Sequence, residues 1–181
     1  PGLELRRGLF RSSNMRLASG IAPIFEMLAA GVKVCLGVDG SASNDSSHLL
    51  AEARLAMLLS RVGSGMRGAS LSGTSAPPLM TARQALSIAT RGGAAVLGRT
   101  DIGSLEVGKC ADFIAIKLDK LDYAGALHDP VAATLFCNSV RVDINVVGGE
   151  IIVKDGELQS LDLAEHVFNH NQAARRLVRG A

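Results

Sequence analysis

The sequence predicts an α/β fold from two observations. Residues 32–38 (VKVCLGV) form a nearly continuous apolar run between segments of helical periodicity, which is typical of a strand buried on both faces of a parallel sheet. After Gly98 the pattern changes to short apolar runs separated by turns, which predicts a small antiparallel β portion. The chain has 181 residues. A complete (β/α)₈ barrel needs roughly 250 residues, so the chain is too short to form one by itself.

Helical periodicity appears on both sides of the predicted strand. Residues 24–28 carry a short apolar stripe that Gly31 is expected to end. A longer helix with a wide apolar surface is predicted over residues 48–62. The residues predicted to cap this helix are Asp45, Ser46 or Ser47.

A glycine- and serine-rich stretch separates this helix from the next one. Residues 63–79 contain six serine and proline residues among several glycines, and we expect a long loop there. Residues 81–84 (TARQ) form a capping box that opens another helix. Gly92-Gly93 is expected to interrupt that helix before Gly98 ends it.

The remainder of the chain is predicted to be strands, turns and one helix. The predicted strands are residues 112–118, 133–137 and 142–147. The predicted turns are Gly148-Gly149 and Asp155-Gly156. Residues 162–179 predict a terminal amphipathic helix, with Asp162 and Glu165 in capping positions.

Composition narrows the classes of function. The net charge of +2 is too small to favour a polyanionic partner. Aromatic residues make up 3% of the chain, which argues against a surface of stacked rings for single-stranded nucleic acid. No apolar run approaches the roughly 18 residues of a membrane span. Three widely spaced cysteines (Cys35, Cys110 and Cys137) predict reduced, buried thiols in a cytoplasmic protein.

Three motifs have functional interpretations that their context disfavours. Residues 63–68 match GxGxxG but follow a helix rather than a strand, so a flexible loop is the better interpretation. Residues 103–109 approach a phosphate loop, but Cys110 replaces the hydroxyl residue and a strand follows, which favours a surface turn. His166 and His170 have the i,i+4 spacing of a zinc pair, but a solvated helix face is favoured over a metal site.

Asp39 is the informative residue. It follows the predicted buried strand directly and is followed by a polar loop. Catalytic groups of α/β barrels lie in this position, at the carboxyl end of a strand. A plain Asp-Gly turn explains the spacing equally well, so both interpretations stay open on spacing alone.

Several long motifs resemble the amidohydrolase superfamily. The segments SSNMRLASGIAP (12–23) and LGVDGSASND (36–45) are most similar to the branch that contains 8-oxoguanine deaminases and hydroxyatrazine or atrazine hydrolases. Residues 85–98, 102–113 and 128–130 resemble the C-terminal part of the same family. The resemblance covers about residues 12–178.

The resemblance implies a division of the chain into three parts. Residues 1–98 would be the last strands and helices of a metal-dependent (β/α)₈ barrel, with residues 1–11 atypical. Residues 99–160 would belong to a small antiparallel β domain, part of a β-sandwich, and residues 161–181 would be a C-terminal helix. The activity implied is hydrolytic deamination of a purine-like or s-triazine ring, at a carbon–nitrogen bond that is not a peptide bond.

The resemblance also assigns site residues. In that family a divalent metal, zinc first and iron second, is held by histidines and by an Asp after the eighth strand. Asp39 matches that position as metal ligand and as the catalytic carboxylate that takes a proton from the metal's water. Ser13 and Asn14 match a loop near the substrate and are expected substrate contacts. Residues 41–45 would orient Asp39 or contact substrate.

The sequence departs from the family pattern in ways that leave two interpretations open. It has no HxH pair, its histidines fall at none of the family's metal positions, and the general-acid Glu is absent. Zinc sites take about four ligands, so we expect this chain alone to bind no metal. Residues 1–11 do not resemble the apolar strand expected there and are interpreted as foreign or misframed sequence. The chain is therefore the C-terminal part of an aminohydrolase, or a non-catalytic remnant or interaction fragment.

An incomplete barrel also predicts association. We expect the edge of the strand at 32–38 to be unpaired, and a homo-oligomer, aggregation or a partly ordered N-terminal region to result. The expected partner is a small heterocyclic substrate, with neither nucleic acid nor membrane involved.

Overall fold

The computed structural model describes residues 6–44, 46–70, 79–137 and 141–180. Side chains are described from residue 12 onward, except those of residues 67–70. The described residues form two compact units with mixed helices and strands, which confirms the α/β class. The first unit lies within Pro1–Cys110 and Leu118–Val140, and the second within Ala111–Lys117 and Arg141–Ala181.

The first unit contains two parallel strands and six α-helices among its described residues. Strands β1 and β2 pair in register from Arg6↔Lys33 to Phe10↔Gly37. The elements are β1 (Arg6–Phe10), α1 (Arg11–Arg16), α2 (Ile24–Ala29), β2 (Lys33–Gly37), α3 (Leu49–Ser70), α4 (Ala82–Ser87), α5 (Gly93–Leu97) and α6 (Pro130–Phe136). A π-helical turn, Ile88–Gly92, joins α4 to α5, and a 3₁₀ turn spans Leu121–Tyr123.

Strand β1 corrects two predictions about the N-terminal region. Arg6–Phe10 forms a strand although its sequence has no apolar alternation, and it covers one edge of β2, which was expected to be unpaired. Parallel pairing is made by backbone groups, so a polar segment satisfies it as well as an apolar one. Residues 1–5 lie outside the described residues.

Strand β2 lies in the middle of an apolar core. Val34 and Leu36 are buried, whereas Cys35 and Gly37 are partly buried, so the strand is less evenly covered than its sequence predicts. The three cysteines form no disulfide and are partly buried rather than fully buried. The core residues are Ile24, Val34, Leu36, Ala53, Ala56, Met57, Met80, Ala82, Ala85, Ile88 and Leu135.

Helix α3 is longer than predicted. It continues to Ser70, so the loop predicted from residue 63 is wrong for residues 63–70, and residues 71–78 lie outside the described residues. Ser64 is buried on this extension, and Ser60 is buried one turn before it. Burial of this face explains why the helix continues through three glycines that disfavour it locally.

The α4–α5 segment confirms its predicted start and end. Thr81 and Gln84 form the capping box, and Gly98 ends α5 in the left-handed conformation at φ +70°. The predicted interruption at Gly92-Gly93 is wrong, because the helix passes through it as a π turn. Gly92 lies so close to β2 that a Cβ there would collide with the carbonyl oxygen of Val34.

The strand predicted at residues 133–137 is also wrong, because α6 occupies Pro130–Phe136. Its start is marked by Asp129, whose side chain accepts from the Ala132 amide at 3.0 Å. Pro130 follows at the first helical position, where its missing N–H costs nothing. The Asp-Pro pair thus begins a helix here rather than a strand.

The second unit is an antiparallel sheet followed by a helix. Its strands β3 (Phe113–Ala115), β4 (Ile144–Val147), β5 (Glu150–Lys154) and β6 (Glu157–Leu158) lie in the order β3-β4-β5-β6. Both predicted turns are present. Gly148 and Gly149 have φ of +59° and +85°, and Asp155 and Gly156 have φ of +51° and +82°, as hairpins of the primed turn types require.

Helix α7 (Leu163–Arg179) closes the described chain. Asp162 caps it by accepting from the Glu165 amide at 3.0 Å, as predicted. Every residue of α7 is exposed, including Phe168. Within the described ranges, no helix combines the length and the hydropathy that crossing a membrane requires.

Candidate functional site

The candidate site lies where the two parallel strands end. Strand β2 ends at Gly37, and Asp39 follows two residues later with an exposed side chain. Strand β1 runs parallel to β2 and ends at Phe10, so α1 begins at the same edge of the sheet. The carboxyl ends of parallel strands thus bring residues 12–14 to the loop that contains Asp39.

The backbone at Asp39 has an uncommon conformation. Its φ is +65°, in the left-handed region that few residues other than glycine adopt, although Asp is one of the more frequent exceptions. The Gly40 amide donates to Asp39 Oδ1 at 2.8 Å. This contact stabilises the turn and fixes one carboxylate oxygen relative to the strand end.

Two serine hydroxyls hold the other carboxylate oxygen. Ser13 Oγ donates to Asp39 Oδ2 at 2.7 Å, and Ser43 Oγ lies 3.3 Å from the same oxygen. The two hydroxyl oxygens are 2.8 Å apart. Ser13 is 1% exposed. The carboxylate is therefore oriented by one buried donor from the β1 side and one donor from its own loop.

These contacts keep Asp39 ionised. The Ser13 hydroxyl is the main cause that lowers the pKa of Asp39 below its ordinary value, followed by the Gly40 amide, with a smaller contribution from Ser43. Partial desolvation acts in the opposite direction but does not outweigh them. At neutral pH the group is a carboxylate, which is the form that binds a cation.

The structure places the two predicted substrate contacts differently. The Ser13 side chain is buried and engaged with Asp39, whereas Asn14 follows it on α1 and is partly exposed. Both remain predicted substrate contacts. What the geometry adds is that Ser13 orients the carboxylate, a role that the sequence analysis gave to residues 41–45.

The cap of α3 corrects another prediction. His48 Nδ1 accepts from the Ala51 amide at 3.3 Å, so His48 caps the helix. Ser46 instead directs its amide and hydroxyl to Asn44 Oδ1, at 3.1 Å and 3.3 Å, and Ser47 has a φ of +47°. The predicted capping by Ser46 or Ser47 is therefore wrong, and Asp45 lies outside the described residues.

Sequence reasoning missed Glu52, a buried acid on α3. Its side chain is 2% exposed, and its carboxylate accepts from the Ser12 amide at 2.9 Å, from the Ser12 hydroxyl, and from Asn44 Nδ2 at 2.9 Å. The signal was available, because an acid on the apolar face of a helix is rarely buried without partners. The sequence gives no signal that Ser12 is one of these partners, because Ser12 is 40 residues away.

The two glycine-rich motifs are structural. Residues 63–68 lie inside α3, so no strand-to-helix turn exists there to hold a dinucleotide. In the second motif, Lys109 Nζ is held by Ser104 Oγ at 2.6 Å and by Glu106 Oε1 at 3.4 Å. Gly103 has a φ of +88°, and a Cβ there would come within 2.8 Å of the Cβ of Ala94. The second motif is the surface turn that was predicted.

The two histidines of α7 lie side by side on an exposed helix face. The rings of His166 and His170 stack with centroids 6.4 Å apart, and both residues are exposed. Across the described ranges, no three His, Cys, Asp or Glu side chains come together as a metal site. Asp39 therefore has no two further side chains of these types beside it among the described residues.

Comparison with known sequences identifies relatives. A profile of the amidohydrolase family matches residues 4–152. The match includes residues 4–11, so the interpretation of this stretch as foreign sequence is wrong. The chain is 47% identical over 169 residues to the 8-oxoguanine deaminase of Pseudomonas aeruginosa, covering 93% of this chain and 35% of that protein. It is 38% identical over 161 residues to the hydroxydechloroatrazine ethylaminohydrolase of Pseudomonas sp. (strain ADP), covering 88% and 32%.

Solved structures show the same relationship. The atrazine chlorohydrolase of Arthrobacter aurescens TC1, complexed with zinc, aligns at a TM-score of 0.80 with 36% identity, covering 91% of this chain and 35% of that one. An adenosine deaminase from Xanthomonas campestris with bound zinc aligns at a TM-score of 0.80 with 31% identity, covering 95% and 37%. The chain spans about a third of the length of the curated relatives it matches.

Proposed function

Because this chain belongs to the amidohydrolase family, we propose that it forms the C-terminal part of a metal-dependent aminohydrolase that deaminates a purine-like or s-triazine ring by hydrolysis. The single observation that carries the proposal is Asp39, an ionised and oriented carboxylate at the carboxyl end of a parallel strand. The similarity to the 8-oxoguanine deaminase favours a purine-like ring, and the triazine hydrolases are the second choice.

The proposal extends to the architecture. In it, β1 and β2 are the last two strands of a (β/α)₈ barrel, β3–β6 belong to a small β-sandwich, and α7 is a terminal helix. The parallel β1–β2 pair with α1 and α2 between its strands supports the barrel assignment, since consecutive parallel strands with intervening helices are its repeating unit. A cytoplasmic location and a homo-oligomer remain part of the proposal.

Asp39 suits the role of one metal ligand. A divalent metal in such a site supplies a bound water whose pKa is near neutrality. Oδ2 accepts from Ser13 and lies 3.3 Å from the Ser43 hydroxyl, whereas Oδ1 accepts only from the Gly40 amide in the hydrogen bonds described, so Oδ1 keeps a lone pair for a cation or a water proton. Its lowered pKa makes Asp39 a group that passes a proton onward rather than one that retains it.

Ser13 and Asn14 complete the proposed site. The Ser13 hydroxyl fixes the direction of the Asp39 carboxylate, which keeps a catalytic group aligned before substrate arrives. Asn14 is partly exposed on the same helix, and its amide can donate to or accept from a polar ring. We propose it as a substrate contact, with Ser13 at the edge of the same surface.

The test uses a chimera, because the other ligands lie outside the described residues. The matching third of the P. aeruginosa 8-oxoguanine deaminase is replaced by this chain, and bound metal and ammonia release from 8-oxoguanine are measured. We expect stoichiometric metal and activity, and a fall in kcat/KM of about 10²–10⁴-fold for Asp39→Asn, the range attributed to one acid–base group. Asp119→Asn, an exposed acid, is the matched control and should leave activity unchanged.

A folded chimera without metal or activity would overturn the proposal and favour the non-catalytic alternative. Equal activity in the Asp39→Asn and Asp119→Asn chimeras would remove Asp39 from the site while leaving the family assignment intact. The purified chain supplies a further comparison: stoichiometric metal with ammonia release by the chain alone would contradict the expectation that it needs ligands from elsewhere.

A further inference from the structure

Glu52 is the point where two chain segments near Asp39 meet. One segment starts α1 after β1 and contributes the amide and hydroxyl of Ser12. The other is the loop after β2 and contributes the Asn44 amide, whose Nδ2 lies 2.9 Å from Glu52 Oε1. A single carboxylate thus accepts from three donors on segments that are not neighbours in sequence.

The burial of Glu52 indicates that its hydrogen bonds to these three donors have a structural role. Its side chain is 2% exposed and lies on the same helix face as the buried Ala56 and Ser60. A buried carboxylate is costly to desolvate, and an apolar side chain would fill the same space at lower cost. The two oxygens of a carboxylate offer what an apolar side chain lacks, which is acceptor capacity for all three donors at once.

The Asn44 amide is oriented for this contact. Its Oδ1 accepts from the amides of Ser46 and Ser47, at 3.1 Å and 3.3 Å. The oxygen is therefore occupied by the turn, and the NH₂ group faces Glu52. Asn44 is 3% exposed, so this arrangement has no solvent alternative.

Each contact of Glu52 is one residue away from a contact of Asp39. Ser12 precedes Ser13, whose hydroxyl donates to Asp39 Oδ2. On the other side, Asn44 follows Ser43, whose hydroxyl lies 3.3 Å from the same oxygen. Fixing the backbone at Ser12 and Asn44 therefore fixes both hydroxyl groups.

We propose that Glu52 is a positioning residue for Asp39: it ties the segment after β1 to the loop after β2 and thereby holds the two serine donors on the carboxylate. As a statement about catalysis this rests on the proposed function, but as a statement about the geometry of Asp39 it does not. Glu52 has no contact with Asp39 itself in the hydrogen bonds described, so it acts through its neighbours.

The test is a spectroscopic one on the chain itself. The Gly40 amide donates to Asp39 Oδ1, so its proton chemical shift reports how the carboxylate is oriented. Glu52→Gln places an NH₂ group among donors, which breaks part of the network while keeping the size of the side chain. We expect a changed Gly40 amide shift and hydrogen exchange about tenfold faster at the Ser12 and Ser43 amides.

The rescue variant separates positioning from packing. In Asn44→Asp/Glu52→Gln, the new acid accepts from the new amide and its second oxygen keeps the turn amides, so the hydrogen-bond directions are reversed but complete. We expect the Gly40 shift to return toward the wild-type value. The control Leu135→Ala removes a core side chain that is 1% exposed and should destabilise the unit without moving the Gly40 amide signal.

Three results would overturn the proposal: an unchanged Gly40 shift in Glu52→Gln, an equal change in Leu135→Ala, or no rescue by the double variant. If Glu52→Gln does not fold, Ser12→Ala removes one donor alone and the double variant still decides. In the active chimera, Glu52→Gln should lower kcat with little change in KM. An inactive wild-type chimera would instead count against the proposed function, and the Gly40 measurement would still decide the role of Glu52.

Discussion

The two compact units keep their shapes by different means. In the first, apolar side chains from β2 and four helices fill a core, and a buried acid joins segments that are distant in sequence. In the second, only Asp143 and Val146 are buried among the described residues, and the strands are joined by tight turns with positive φ. The first unit therefore depends on long-range packing, and the second depends mainly on local turn geometry.

This difference is consistent with the position of the candidate site. A carboxylate that must keep one orientation needs support from residues fixed by burial, and the first unit supplies this through Ser13 and Glu52. Turns such as Gly148-Gly149 are determined by two residues and leave little room for such support. The candidate site accordingly lies at the carboxyl end of β2 rather than on the antiparallel sheet.

The largest expected effect is on stability, and it lies in the apolar core of the first unit. Met57→Ala removes a side chain with no exposed area on α3 and should lower the free energy of unfolding by about 2–5 kcal/mol. Urea denaturation measures the change, and hydrogen exchange along α3 locates it. Val62→Ala on the same helix, where Val62 is 54% exposed, should change stability by less than about 0.5 kcal/mol. Equal losses in the two variants would show that this helix face is not the core.

The sequence predicted elements that carry local signals better than elements that depend on long-range packing. The hairpin turns, the Asp162 cap and the strand at β2 carry local signals and are confirmed. The α6 helix was predicted as a strand although Asp129-Pro130 marks a helix start, so in that case the signal was present and was misread. The error over α3 has a different cause. Its glycines disfavour a helix locally, but the helix continues through them and Ser64 is buried on that part.

The candidate site was predictable only in part. Asp39 follows from the strand and loop pattern together with the family resemblance, because a strand end is a property of the local sequence. Ser43 lies within residues 41–45, which were expected to orient Asp39 or contact substrate. The buried contacts follow from neither source, since Ser13 is 26 residues away and the Ser12–Glu52 contact spans 40. Parallel pairing of β1 with β2 brings them together, and β1 itself has no apolar pattern that would have predicted it.

An intermediate effect concerns the protonation of Asp39 in the metal-free chain. Ser13→Ala removes the main cause of its lowered pKa, so the pKa of Asp39 should rise toward its ordinary value. A lowered pKa in the folded state adds stability above the unfolded-state pKa, near 3.9, and that stability is lost as the pH falls through the folded-state value. The variant should therefore lose less stability on acidification than the wild type does.

Titration of the Asp39 carboxyl carbon by NMR measures the shift directly. Ser43→Ala is the matched control, because its hydroxyl contributes least to the lowered pKa and its distance to Oδ2 is 3.3 Å. A larger shift in Ser43→Ala than in Ser13→Ala would mean that the loop, not the buried serine, controls the carboxylate.

The smallest expected effect lies on α7, where the contrast between the units is greatest. Phe168 is 61% exposed, and Phe and Ser have similar helix propensities. Phe168→Ser should therefore change stability by less than about 0.5 kcal/mol, whereas Val146→Ala, at a buried position of the same unit, should cost on the order of 1–2 kcal/mol. Thermal unfolding measures the change in stability of each variant. Sedimentation velocity at two concentrations measures whether copies of the chain associate. If Phe168→Ser costs as much as Val146→Ala and also lowers the sedimentation coefficient, then this helix face is covered by another copy of the chain in solution, and the second unit depends on long-range packing as the first one does.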